Sequence, residues 1–289
     1  MVAGAAALIG RLPTPVGLWL GRRAGDLAYA VLRRRRLLAL SNIAIAFPAL
    51  SAAERRALCR RAYRHLGMVA VDVSRMLGRG DRLLETVSVV GREHLDGVMT
   101  RVGRALAVTA HLGSWELLSL APALVGHPVS IVVRPLDAGW LDPLVARARR
   151  SHGMEVIAKS RAAREILEAL RGGRVVALLL DQNASRREGA FVPFFGRLAS
   201  TSRSAAVLSL RSGVPIVPVF IRRESPVRHV ITFEPPLPEP ERYGEAAVIE
   251  LTARCTEAIE RAVRAAPEQW LWMHDRWRTR PPVEATVRA

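Results

Sequence analysis

The chain has 289 residues, 43 basic against 26 acidic, and carries a formal charge of +17 while half of its residues are hydrophobic. A chain this apolar buries a large core, which excludes intrinsic disorder, and its length suits one generous α/β domain or two small ones rather than a repeat array. Cys59 and Cys255 are too few for a disulfide framework or a four-cysteine zinc site, so a reducing, cytoplasm-facing environment is the default.

The charge is unevenly placed. Residues 1–80 hold fourteen arginines against Asp26, Glu54 and Asp72. A basic end of this kind points to nucleic acid or to an anionic membrane. The apolar stretch 1–10 is interrupted by Arg11, Pro13 and Pro15, and the next one ends at Arg22 and Arg23. Neither reaches the roughly 20 apolar residues of a spanning helix. A secretory signal would carry its charge ahead of the apolar run, whereas here the charge follows it. Apolar segments flanked by Arg22-Arg23 and Arg33–Arg36, with Trp19 and Tyr29 between, suit a helix lying in the membrane interface. The plainer reading is a helical hairpin packed on the domain, its arginines solvated.

Ser51 followed by Glu54 forms a capping box that opens a helix over residues 51–77. From residue 104 short apolar runs alternate with helical stretches. The runs 105–109, 129–133, 175–180 and 216–221 are predicted strands; 114–125, 140–152 and 161–170 are predicted helices, and a last helix spans 244–265. Continuous apolar strands separated by helices indicate a mainly parallel central sheet flanked by helices. The expected organisation is a helical, membrane-associating region over 1–80 and an α/β domain over 81–289, in one continuous fold.

Chemistry is expected beyond the carboxyl ends of the strands. The first such position reads His111-Leu-Gly-Ser-Trp-Glu116. On an unbroken helix His111 and Glu116 would point about 140° apart, at about 100° per residue. If Ser114 is instead an N-cap, His111 lies in the preceding turn and can fold back toward Glu116, which would fix its tautomer and leave the other nitrogen as a base. Arg134 follows the next strand and Asp181-Gln182 the one after. Arg187-Glu188-Gly189 then leads into Phe191-Val-Pro-Phe-Phe-Gly196, read as an aromatic loop, and Val214-Pro-Ile-Val-Pro218 opens a further strand. Each has an ordinary structural explanation, a cap, a surface ion pair or edge-strand punctuation, but several strand-end polar groups fall in one chain.

Together these blocks resemble the glycerolipid and lysophospholipid acyltransferase superfamily, and in more detail its late acyltransferases of lipid A biosynthesis. That closer likeness rests on residues 111–116, 134–137, 181–183, 191–196 and on Trp270-Leu-Trp-Met-His274 through Pro281. The resemblance implies a glycerolipid-acyltransferase-like fold and transfer of a fatty acyl group from a thioester, acyl carrier protein or coenzyme A, to a lipid hydroxyl at the cytoplasmic face of the bacterial inner membrane. His111 would be the general base and Glu116 its orienting partner. Arg134, Asp181, Glu188 and Gly189 would hold substrate, and Phe191, Phe194 and Phe195 would shape an acyl groove or simply fill the core. No metal, cofactor or protein nucleophile is implied; Ser114 lacks the Gly-x-Ser-x-Gly elbow. Family members usually have a spanning amino-terminal helix, which Arg11 and the prolines break here, so attachment is expected to be peripheral. Phosphatidylinositol mannosides and lysophospholipids are alternative acceptors. A basic nucleic-acid-binding protein is the reading from another class, with the tryptophan and arginine tail stacking on bases; only 5% aromatic content and the absence of a recognition motif weigh against it. A metal-dependent hydrolase lacks an HExxH arrangement and a third ligand nearby.

Overall fold

A computed structural model describes residues 9–133, 142–150, 152–158, 162–241 and 243–282. The order begins with three helices, α1 (Thr14–Val31), α2 (Arg33–Ala46) and α3 (Ala52–Leu84). The Ser51 and Glu54 side chains cap α3 reciprocally, as the sequence predicts. Then come β1 (Val87–Val90), α4 (Arg92–Val102), β2 (Ala105–Thr109), a 3₁₀ helix (Trp115–Leu120), α5 (Ala121–Val125) and β3 (Val129–Val133). They are followed by α6 (Asp142–Arg150), β4 (Glu155–Ala158), α7 (Ala162–Arg171) and β5 (Val175–Leu179). The chain continues through β6 (Gly189–Phe194), β7 (Arg197–Ser202), α8 (Ser204–Ser212), β8 (Ile216–Arg223), β9 (His229–Phe233) and α9 (Gly244–Ala265).

Seven strands form one sheet in the order β1-β9-β8-β2-β5-β3-β4, parallel throughout except for the β8/β9 hairpin. β6 and β7 pair separately as a two-stranded antiparallel ribbon. The fold class is therefore as expected, a mostly parallel sheet between helical layers. Side chains alternate faces along each strand, and two cores result. Leu106, Val108, Val176, Leu178 and Ile216 face α2, α9 and the tryptophans of the tail. Ala105, Ala107, Val175, Ala177 and Val217 face α4 and the 3₁₀ helix. The long helix α3 reaches both, through Leu58 and Tyr63 on one side and Met76 and Leu83 on the other. The expected boundary at residue 80 thus falls inside a helix.

The 191–196 segment is not a loop. It is a strand of the ribbon with a tight turn at Phe195-Gly196, both at positive φ. Pro193 is tolerated because a two-stranded ribbon is all edge. Phe194 and Phe195 are buried against Trp270, Trp272 and Trp277, so they belong to the core.

α1 and α3 cross at their glycines. A Cβ on Gly67 would stand 1.9 Å from the carbonyl oxygen of Gly21, and one on Gly25 would meet the backbone of Tyr63. We expect Gly67→Ala to force the helices apart and to destabilise the protein by about 1–3 kcal/mol, the usual cost of overpacking. Gly97, inside α4 with only the end of the Arg101 side chain near it, is the control. Gly97→Ala should be neutral or stabilising by up to about 1 kcal/mol. Denaturant unfolding of the two variants reads both signs.

Candidate active site

β2 and β5 are parallel neighbours with Thr109 opposite Leu179. Two residues further along each chain the same register sets His111 beside Asp181. The contact is direct: His111 Nδ1 and Asp181 Oδ1 are 2.9 Å apart, and the backbone N–H of His111 donates to Oδ2 of the same carboxylate, also at 2.9 Å. The indole N–H of Trp270 donates to Oδ2 at 2.8 Å. Asp181 is 2% exposed and its negative charge is met from three directions.

This arrangement differs from the expected one. Asp181, expected to hold substrate, is the partner of the histidine. Glu116, expected to orient His111, instead forms a two-pronged ion pair with Arg149, Oε2 to Nε at 2.9 Å and Oε1 to a terminal guanidinium nitrogen at 2.8 Å. Trp115 Nε1 donates to Glu116 Oε1 at 3.2 Å. The physical reason is local. Residues 115–120 wind as a 3₁₀ helix, and Ser114 makes no capping bond. The Ser114 hydroxyl donates instead to buried Asp72 of α3, which is also paired with Arg223 at the end of β8. His229 Nε2 stands 3.5 Å from the same carboxylate. The motif loop is thus fastened to α3 from beneath. Glu116 still acts on His111 through its charge.

Burial alone would depress the basicity of His111. The Asp181 charge and hydrogen bond, with a smaller push from Glu116, outweigh it, and the pKa is raised. Burial would lift Asp181, but His111 and the indole hold its carboxyl at about 2. Asp181 stays ionised and selects the tautomer with the proton on Nδ1, which leaves Nε2 as the acceptor. The imidazole is 22% exposed, and the Gln182 amide nitrogen lies 3.5 Å from Nε2. The ring is therefore partly open to solvent.

The tail closes the site from behind. Residue 270 bridges Leu112, Leu271 N–H donates to the His111 carbonyl at 3.1 Å, and Gly113 N–H donates to the Gln269 carbonyl at 3.0 Å. His274 Nε2 accepts the Asn183 N–H at 2.9 Å, and burial lowers its pKa to about 4, which keeps that nitrogen unprotonated. Trp270, Trp272, Arg276 and Trp277 are all buried, so the tail packs on the domain and does not offer a base-stacking surface. Of the other expected residues, Glu188 is exposed in the turn before β6, where its carbonyl accepts the Arg203 N–H. Gly189 opens β6 so tightly that a Cβ would meet the Ser200 hydroxyl at 2.2 Å. Arg134 lies outside the described residues. Arg149 and Trp270 are the site residues that sequence reasoning did not assign.

Residues 1–279 match the family model described as bacterial lipid A biosynthesis acyltransferase. The chain belongs to that family. It is 30% identical over 281 residues to the lipid A biosynthesis palmitoleoyltransferase of Escherichia coli K12, covering 96% of this chain and 90% of the relative. It is 28% identical over 278 residues to the lauroyltransferase of the same organism, at 95% and 89% coverage. The myristoyltransferase is 24% identical over 285 residues, at 98% and 86% coverage. As a member of this family the protein is an O-acyltransferase, and His111, Glu116 and Asp181 lie in the blocks through which the sequence first resembled it.

The pair makes a pH prediction. In Asp181→Asn the raising charge is gone while burial remains, so His111 should titrate lower than in the wild type. NMR titration of the His111 ring measures this directly. The pair's contribution to stability should be greatest between about pH 4 and 6.5, the ordinary Asp and His values. Below that window the protonation of Asp181 removes it as pH falls toward the depressed carboxyl value. Above it the His⁺ contribution is lost as pH rises through the raised imidazole value.

Proposed function

We propose that the protein transfers a fatty acyl group from an acyl thioester to a hydroxyl of a lipid A precursor or related glycolipid. The observation that carries this reading is the hydrogen bond from His111 Nδ1 to buried Asp181, which leaves Nε2 of a partly exposed ring as the acceptor. In the proposed reaction Nε2 takes the proton of the acceptor hydroxyl as its oxygen attacks the thioester carbonyl. The tetrahedral intermediate then collapses with cleavage of the C–S bond, and the imidazolium returns the proton to the departing thiolate. Asp181 holds the ring and stabilises the imidazolium. Glu116, kept in place by Arg149, adds negative charge beside the same ring. Arg134, Glu188 and Gly189 are assigned by the resemblance to substrate positioning. Acyl carrier protein, which is acidic, suits the basic surface as donor, and coenzyme A is the alternative thioester. The thioester is consumed as co-substrate and the chemistry draws on no cofactor.

The reading includes peripheral attachment to the cytoplasmic face of the inner membrane. Among the described residues no helix is long and apolar enough to cross a membrane. α1 turns its glycines toward α3 and leaves Val16, Trp19, Leu20, Leu27 and Val31 exposed on the opposite side, the last two at 65% and 67%. Leu32 and Leu37 continue this apolar surface beside exposed Arg33 and Arg34. Apolar side chains next to arginines are what a helix needs to lie on anionic lipid.

His111→Ala should stay folded and lose about 10²- to 10⁴-fold in kcat, the usual worth of a positioned general base. A folded variant transferring acyl groups at the wild-type rate would remove the assignment. Added chelator should leave the wild-type rate unchanged. Replacing Trp19, Leu27 and Val31 together by serine should weaken sedimentation with anionic vesicles and leave soluble-substrate turnover in detergent intact. Vesicle binding equal to wild type counts against the membrane face.

A further inference from the structure

A polar cavity lies at the carboxyl end of β8, outside the histidine site. Its volume is about 380 Å³, and four guanidinium groups line it: Arg22 of α1, Arg61 and Arg64 of α3, and Arg223. His65 forms part of the same wall. Two of the arginines are fixed in direction. Asp26 accepts from Arg64 Nε at 2.8 Å, and Asp72 holds Arg223 from the buried side. Arg22 and Arg61 are exposed and have no carboxylate partner among the described residues; Arg22 touches only the Met68 sulfur, at 3.4 Å. Glu224 and Glu268 also line the cavity, but Glu224 is engaged by Arg222 at 3.4 Å. Asp26 is shared among Arg23, Arg60 and Arg64, so the wall keeps an excess of positive charge.

We propose that this cavity binds a phosphate monoester carried by a substrate of the transfer reaction. The exposed guanidinium forks of Arg22 and Arg61, brought from α1 and α3, match a group with three acceptor oxygens better than a lone carboxylate, while Arg223, engaged by Asp72 and the Pro226 carbonyl, adds positive charge to the wall. The volume is many times the roughly 30 Å³ of one water, which leaves room for the sugar or alcohol that bears the phosphate. The cavity also shares walls with the surroundings of the reacting centre. His65 and Gln269 line both it and a small adjoining cavity walled by Trp115, whose ring centroid is 5.4 Å from that of His111. Gln269 further ties the two sites, accepting the Arg223 N–H and presenting its own carbonyl to Gly113. A phosphate held by Arg22 and Arg61 would anchor one end of an amphiphile while another part of it meets His111. Burial and the charge of Arg223 lower the pKa of His65 to about 4, so the positive charge of the wall is that of its arginines at neutral pH.

The proposal rests on the acyltransferase reading for its substrate, so the test has one arm that does not. Isothermal titration of the full-length protein with inorganic phosphate at low ionic strength should give binding that weakens about tenfold or more in Arg22→Gln/Arg61→Gln, since hydrogen bonds to charged groups are the strong ones. His111→Ala should bind phosphate like the wild type. In the kinetic arm the double variant should raise KM about tenfold with kcat nearly unchanged. A rise in the acceptor's KM that disappears when the acceptor is first treated with a phosphatase identifies a lipid phosphate. A rise in the donor's KM with a coenzyme A thioester instead identifies its 3′-phosphate monoester. Unchanged phosphate affinity, or unchanged KM for both substrates, overturns the proposal. Full activity of His111→Ala would strike the catalytic reading and leave the phosphate arm standing.

Discussion

The Asp181 carboxylate sits at the end of β5 almost without access to water, and a buried negative charge persists only when it is paired and hydrogen-bonded. Its partners come from widely separated parts of the chain: the ring and backbone N–H of His111 from the end of β2, and the Trp270 indole from beyond α9. Each partner constrains the others. The tail must lie across residues 111–113 for the indole to reach, and when it does, the Leu271 and Gly113 amides are also satisfied. His111 is therefore oriented by the same bonds that close the fold.

A second buried carboxylate does the equivalent work on the other side of the motif. Asp72 belongs to α3, yet it accepts from Ser114 of the loop and from Arg223 of β8. Losing one member of such a network is costly because the others are left buried and uncompensated, by about 3–5 kcal/mol for a broken ion pair. The loop carrying His111 and Glu116 is thus held between two anionic anchors. One orients the His111 ring and the other holds the Ser114 hydroxyl beneath it. This also explains why α3 is long: its first half supports the core near the tail and its second half brings Asp72 under the loop and Met76 and Leu83 into the opposite core.

Much of the architecture was legible because continuous apolar runs mark strands buried on both faces. β2 and β3 span the residues that the sequence indicates, and so does α9. β1 and β4 were not, being four residues each with half-exposed patterns. The β6/β7 ribbon was hidden by Pro193 and by aromatic residues that look like a loop lining. His111 and Asp181 were each visible as polar groups at strand ends. Their pairing was not, because it depends on β5 lying next to β2 although β3 and β4 intervene in the chain. The spacing of His111 and Glu116 suggested a closer relation than the structure gives, since proximity in sequence cannot reveal that Arg149, one of three arginines in the last turn of α6, competes for the glutamate. Trp270 gave no local signal for a hydrogen bond to a residue 89 positions away.

The basic amino-terminal end shows how formal charge differs from available charge. Arg23, Arg60 and Arg64 all turn to Asp26, whose carboxyl Arg64 and Arg60 hold at about 2. Arg36 caps the carbonyls at the end of α1, Arg35 reaches the Met273 carbonyl and Arg55 that of Pro48. These arginines join α1, α2, α3 and the tail, and neutralise carbonyl or carboxylate oxygens within the fold. What is left for a ligand is smaller and sorted by place. Arg33 and Arg34 are exposed beside the apolar surface of α1 and α2, where a lipid headgroup layer would meet them. Arg22 and Arg61 border the cavity by β8, where a single phosphate would meet them. The excess charge that first suggested either nucleic acid or membrane is therefore not one uniform field. Part of it is structural, part suits a surface, and part suits one bound anion, and because Arg22 and Arg61 are exposed, salt should weaken both kinds of binding.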